Sequence, residues 1–105
     1  MSHPAVDLDD VVHQRVRLAI LAVLAEARRA DFTYLRNTLG TTDGNLSRHL
    51  QVLADAGLVQ IRKGFEGKRP RTWVSSTPRG RAALASEVAT LKEIVGRFEA
   101  DGDSR

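Results

Sequence analysis

Between Gly40 and Ser76 a helical pattern runs straight into a strand pattern, leaving almost no chain between them, so the two must pack on each other. At about 100° per residue Leu46, Leu50, Leu53, Ala54 and Gly57 fall in one stripe, which places Gly44, Asn45, Arg48, Gln51 and Asp55 on the opposite side. Thr42 stands where a side-chain oxygen can accept from a first-turn N–H. The spacing predicts a helix over residues 43–56. Beyond it Val59 and Ile61 alternate at period two, Glu66-Gly67-Lys68 reads as a turn, and Thr72, Val74 and Ser76 alternate with Trp73 and Ser75. A two-stranded ribbon over residues 58–76 follows.

Charge is concentrated on that ribbon. Arg62, Lys63, Lys68, Arg69 and Arg71 stand against Glu66 alone, a local +4 in a chain whose total is +3, so the remainder sums to −1. Pro70 has no N–H to give a central ladder, which assigns it to an edge or to the tip, where it stiffens Arg69 and Arg71. A basic run is often only a solvated face. Bracketed by strand patterns directly after a helix, this one reads as a folded projection that grips phosphate.

The polar side of the helix has matching chemistry. Asn45, Ser47 and Gln51 carry donors and acceptors suited to base edges, and Arg48 and His49 can reach a guanine edge or a phosphate. Gly44 beside Asn45 keeps the N-terminal end slim enough for a major groove. Taken alone, the same pattern also fits an ordinary amphipathic helix with a solvated face.

The rest of the chain supplies a frame. Asp7 to Asp10 suit the N-terminal dipole of a first helix over residues 8–27, whose Val12, Val16, Ala19, Ile20, Val23, Leu24 and Ala27 form a stripe that Val11, Leu18 and Leu21 widen beyond one buried face. A second helix over 33–39 presents Leu35 and Leu39 and stops at Gly40, with Phe32 and Tyr34 expected to pack into the core. Thr77-Pro78 opens a last helix, 78–98, in which Leu84, Val88, Leu91, Val95 and Phe98 alternate four and three apart. Two heptads can simply pack on their own domain. A terminal helix with nothing after it to cover its seam also suits a second copy of the chain, and together with the spare apolar side of the first helix it predicts a homodimer. Residues 1–6 and 100–105 are read as flexible tails around one domain, 7–99.

Composition narrows the function classes. With 105 residues, 42% of them hydrophobic, the chain makes one domain and not two. The absence of cysteine excludes disulfides and thiolate metal sites. No run approaches a membrane span and Met1 to Val6 lacks a leader pattern, so a soluble, cytoplasmic protein is expected. His3, His13 and His49 are its histidines, and none belongs to a catalytic or zinc motif; Asp9, Asp10 and His13 could share a helical face, but acidic residues there have a plain electrostatic use. No catalytic residue, metal or cofactor is assigned, and no convergent polar set marks an effector.

The stretch L-S-R-H-L-Q-V-L-A-D-A-G-L-V, the segment K-G-F-E-G-K-R-P-R-T and then S-T-P-R-G-R-A-A-L closely resemble small winged helix-turn-helix transcriptional regulators related to the MarR and ArsR families, over about residues 8–98. The resemblance implies a mainly α fold with a small β-hairpin, the wing, and a dimeric, sequence-specific regulator that binds double-stranded DNA. It implies that Thr42, Asn45, Ser47, Arg48 and His49 hold recognition-helix positions, to which the outward-facing Gln51 is added, and that Lys68, Arg69 and Arg71 hold wing positions. The chain departs from the pattern twice: F-T-Y-L-R-N-T-L lacks the cysteine pair of metal-sensing ArsR members, and Ser76 replaces an apolar residue before the T-P-x-G turn. A winged helix that binds a protein partner or structured RNA is the alternative, since one fold hosts many roles; exposed aromatic or aliphatic side chains on the reading helix would favour it.

Overall fold

Leucine spacing and two-residue alternation produce the elements they predict. A computed structural model describes residues 3–103. In chain order these form a short 3-10 turn, Pro4–Asp7, then α1 (Arg15–Glu26), β1 (Ala30–Asp31), α2 (Phe32–Leu39), α3 (Asp43–Asp55), β2 (Val59–Glu66), β3 (Arg69–Ser76) and α4 (Pro78–Asp103). The three strands are antiparallel in the order β1-β3-β2. Four helices against one small sheet is the fold class expected.

The core lies where α1, α3 and the sheet meet. Ile20, Leu21 and Leu24 of α1, Leu35 of α2, Leu46, Leu50 and Leu53 of α3, and Val59 and Val74 of the sheet are all buried. Each such side chain contributes about 1.5–3 kcal/mol by leaving water. α1 touches α2, α3, α4 and β3. Val16, Leu18 and Val23 pack half-buried against the core beside Ile20, Leu21 and Leu24, so much of the apolar surplus of α1 is used within its own domain, while Ala22 and Ala25 remain exposed.

The beginning of the chain differs most from the sequence reading. The helix expected from residue 8 starts at Arg15 and has Gln14 as its N-cap, with Gln14 Oε1 accepting from Arg17 N at 2.9 Å. Asp9 does not serve a helix dipole: its Oδ1 accepts from Val11 N and Val12 N at 2.8 and 3.2 Å and turns the chain so that Val12 is buried. This segment packs on α4. Glu87 of α4 is only 2% exposed, and its carboxylate accepts from Asp9 N at 3.1 Å and hydrogen-bonds His13 Nδ1 at 2.7 Å. Within the expected tails, Pro4 is buried in the 3-10 turn and α4 continues to Asp103; residues 1–2 and 104–105 lie outside the described residues. Tyr34 also departs from expectation, standing 55% exposed while Phe32 packs against the core.

Two joints fix the elements around α3. The wing turns through Gly67-Lys68, between the paired Glu66 and Arg69, and of the two only Gly67 has a positive φ, +64°, the arrangement of a type II′ hairpin. At the other end Thr77 caps α4 by accepting from Gly80 N at 2.9 Å while its hydroxyl donates to Gly57 O at 2.7 Å, and Thr77 N donates to Leu58 O at 3.1 Å. Gly80 lies against the same carbonyl, and a Cβ placed there would sit 2.0 Å from Leu58 O and 2.8 Å from Ser76 Oγ. This crowding is a reason for a small residue at 76, the position where the resemblance led one to expect an apolar side chain.

Candidate nucleic-acid interface

Helix α3 begins with its polar groups already ordered. Thr42 Oγ1 accepts from Asn45 N at 3.2 Å, completing the cap of α3. Asn45 Nδ2 donates to Thr41 Oγ1 at 2.8 Å and Asn45 Oδ1 accepts from Arg48 at 2.8 Å, so the amide is fixed at both ends. One amide proton and one oxygen lone pair remain free for a ligand. Arg36 of α2 pairs with Asp43 at 2.8 Å and ties the two helices across the turn. Gly44, Ser47, Arg48 and Gln51 are exposed along one face, with Gln51 Nε2 resting on Asp55 Oδ1 at 2.7 Å.

His49 does not belong to that face. It is 6% exposed, and its Nδ1 accepts from Arg17 of α1 at 3.1 Å. Arg17 also donates to Asp10 O, at 3.2 Å, and to Val11 O, which pins the N-terminal segment beneath α3. Burial, and then the positive charges of Arg17 and Arg48, lower the pKa of the imidazole below its ordinary value. Residue 49 is three after Leu46 and four before Leu53, so helical spacing alone puts it on the buried stripe. His49 is a neutral internal acceptor that supports α3 from behind.

Strand alternation divides the wing into two faces. Val59 and Val74 point into the core, so Ile61, Lys63 and Phe65 lie on the side of α3 while Arg62, Arg69, Arg71 and Trp73 lie on the opposite side. A hollow of about 400 Å³ between α3 and the wing is lined by Ser47 and Gln51 together with Ile61, Lys63 and Thr72. Lys63 thus joins Ser47 and Gln51 on the polar side of α3, a position that charge counting alone leaves unassigned. Phe65 is 75% exposed near the tip on this same side. Among the described residues no carboxylate lies within ion-pair distance of Lys63, Lys68 or Arg69. Arg71 differs: it is paired with Asp31 of β1 and, at 3.4 Å, with Glu66. Its expected place among the free wing cations is corrected, because β1 brings Asp31 beside it.

The seam expected on α4 also divides. Leu84 packs against its own domain's core. Further along, Val88, Val95 and Phe98 are exposed and Leu91 and Ile94 are half-buried; Ile94 falls on the same side by spacing and was not part of the predicted seam. At about 1.5 Å per residue the 26-residue helix is about 39 Å long, and it accounts for a molecule measuring 62 × 24 × 23 Å.

A family model described as a winged helix DNA-binding domain matches residues 16–95. The chain belongs to that family. An uncharacterized protein of Methanocaldococcus jannaschii is 33% identical over 84 residues, covering 80% of this chain and 91% of its own. Among solved structures this winged helix is similar to a transcriptional regulator homologue from Pyrococcus horikoshii, with a TM-score of 0.79 and 33% identity over 84% of this chain and 87% of the other. It shares its fold with a MarR-family regulator from Enterococcus faecalis (TM-score 0.71, 22% identity, 90% of this chain and 84% of the other). It also shares it with a transcriptional regulator of M. tuberculosis in complex with DNA (TM-score 0.68, 23% identity, 86% and 64%). No helix among the described residues is long and apolar enough to cross a membrane.

Proposed function

We propose that this winged helix is a sequence-specific regulator of transcription that binds double-stranded DNA as a homodimer, with α3 in the major groove and the wing on the phosphate backbone. The observation that carries the reading is the pairing of an ordered polar helix end, Asn45 held between Thr41 and Arg48, with a wing whose Lys63, Lys68 and Arg69 have no carboxylate partner among the described residues. Phosphate contacts position such a module and base contacts give it specificity. Thr42 fixes the helix end, Asn45, Ser47, Arg48 and Gln51 face the bases, and the free wing cations supply the salt-dependent grip. The M. tuberculosis protein, which has the same fold, was solved in complex with DNA, and this supports DNA as the partner.

The exposed distal part of α4 supports a homodimer. Val88, Val95 and Phe98 with Leu91 and Ile94 form an apolar strip that the described residues of one chain leave partly open. Two reading helices related by a twofold axis would meet half-sites about 34 Å apart. Selection of bound duplexes from a random pool with purified protein tests the proposal: a palindromic consensus is expected. Recovery of unenriched duplexes, with retention of structured RNA or of a protein partner in parallel, would overturn it.

A further inference from the structure

The wing face turned away from α3 borders a second concentration of positive charge, away from the polar side of α3. Cross-strand pairing places Arg62 of β2 directly opposite Trp73 of β3, and the link that follows α1 brings Arg29 over the same ring and Arg28 to the rim of the same hollow. These four residues and Ser75 line a hollow of about 500 Å³, within the range of small-molecule sites. The Arg29 guanidinium stacks 4.0 Å from the centre of the Trp73 ring. Among the described residues Arg28, Arg29 and Arg62 have no carboxylate within ion-pair distance, and Asp31, which borders the far side of the ring, is already paired with Arg71. Cations after a helix C-terminus complement its dipole, which accounts for Arg28 and Arg29. It does not account for Arg62, which reaches the same hollow from another element.

We propose that this hollow is a binding site for a nucleotide, a phosphate ester carrying a flat base. Three guanidiniums without counter-ions suit a phosphate, whose three terminal oxygens can accept several charge-assisted hydrogen bonds, better than a single carboxylate. The indole offers the base a stacking surface. Arg29 is exposed and stacks on that ring. It can therefore give up the ring to the base and turn its donors to the phosphate. The phosphorylated base can come from a free mononucleotide or from the end of a single strand.

Trp73 is the single tryptophan of the chain, so its fluorescence reports the site directly. The full chain, without duplex DNA, is titrated with AMP, adenosine, inorganic phosphate and a short 5′-phosphorylated oligodeoxyadenylate, by fluorescence and by calorimetry. Saturable quenching by AMP is expected, with weaker binding of phosphate and no quenching by it, and no binding of adenosine. Tighter binding of the oligonucleotide than of AMP would make the strand end the source of the same ligand. Arg62→Gln, an exposed substitution, is expected to weaken AMP by about tenfold, the equivalent of one lost charge-assisted contact. Trp73→Phe is expected to erase the preference for AMP over phosphate. Absence of saturable binding by any phosphorylated probe at millimolar concentration, or AMP binding that Arg62→Gln leaves unchanged, overturns the proposal. Neither result bears on duplex binding by α3, which is measured separately.

Discussion

Removing positive charge from the wing should have effects that differ sharply between neighbouring residues. Lys68 and Arg69 stand free at the turn, whereas Arg71 is held by Asp31 and Glu66 and brings no net charge to the tip. A cation that neutralises one phosphate of B-DNA contributes about 0.9 to the slope of log K against log salt concentration. Lys68→Ala with Arg69→Ala removes two such contacts from each wing, four from a dimer, so the slope should flatten by up to about 3.6. Arg71→Ala should leave the slope where it was and instead lower the melting temperature, because Asp31 loses the partner that compensates its burial. Anisotropy of a labelled duplex, measured from about 50 to 200 mM salt, separates these outcomes. A flattening by Arg71→Ala as large as that from either neighbour would refute the assignment, as would an unchanged slope in the double variant.

Base reading should be confined to the ordered helix end: Arg48→Ala and Asn45→Ala should each cost about 1–3 kcal/mol on the preferred duplex and much less on random DNA in competition assays. Leu91→Glu, in the middle of the distal α4 strip, should yield monomers by sedimentation and abolish tight binding while the melting temperature changes little. Because burial and the neighbouring arginines lower the pKa of His49, the unfolded chain takes up its proton first as pH falls. The stability contributed by His49 is therefore present above about pH 6.5 and declines as pH drops below it, and His49→Gln should remove that part of the pH dependence in denaturant melts. Gly80→Ala should destabilise the domain by about 1–3 kcal/mol or more, read as a lower midpoint in urea, since its Cβ would overlap Leu58 O.

Most of the fold was legible because its elements have strong local signatures. The leucines of α3, the alternation of β2 and β3, and Thr77-Pro78 at the start of α4 each specify an element without reference to the rest of the chain. β1 was not legible: two residues, Ala30 and Asp31, have no periodicity, and they become a strand only because β3 has a free edge at Val74 and Trp73. Two departures from the sequence reading follow from tertiary context. Arg71 looks free until β1 supplies Asp31, and the acidic run at Asp7 to Asp10 looks like a helix start until Glu87 receives Asp9 N and His13 from across the domain. His49 was recoverable, since its place between Leu46 and Leu53 puts it on the buried stripe, but an imidazole in a recognition helix draws attention to DNA first.

The joint at Thr77 and Gly80 has a mechanical consequence. It fastens the root of α4 to the end of α3 through Gly57 O and Leu58 O, with no slack at Gly80. If two chains are pinned along α4 from Val88 onward, each reading head is joined to the pinned strip by about 15 Å of helix, the stretch from Pro78 to Val88 at about 1.5 Å per residue. A tilt at that root turns each head relative to the pinned strip, and in a symmetric dimer both heads turn together, so the separation of the two α3 helices changes. The stiffness of a single crowded glycine contact would then set how many spacings between half-sites the protein accepts, so that operator register is determined far from any residue that touches a base.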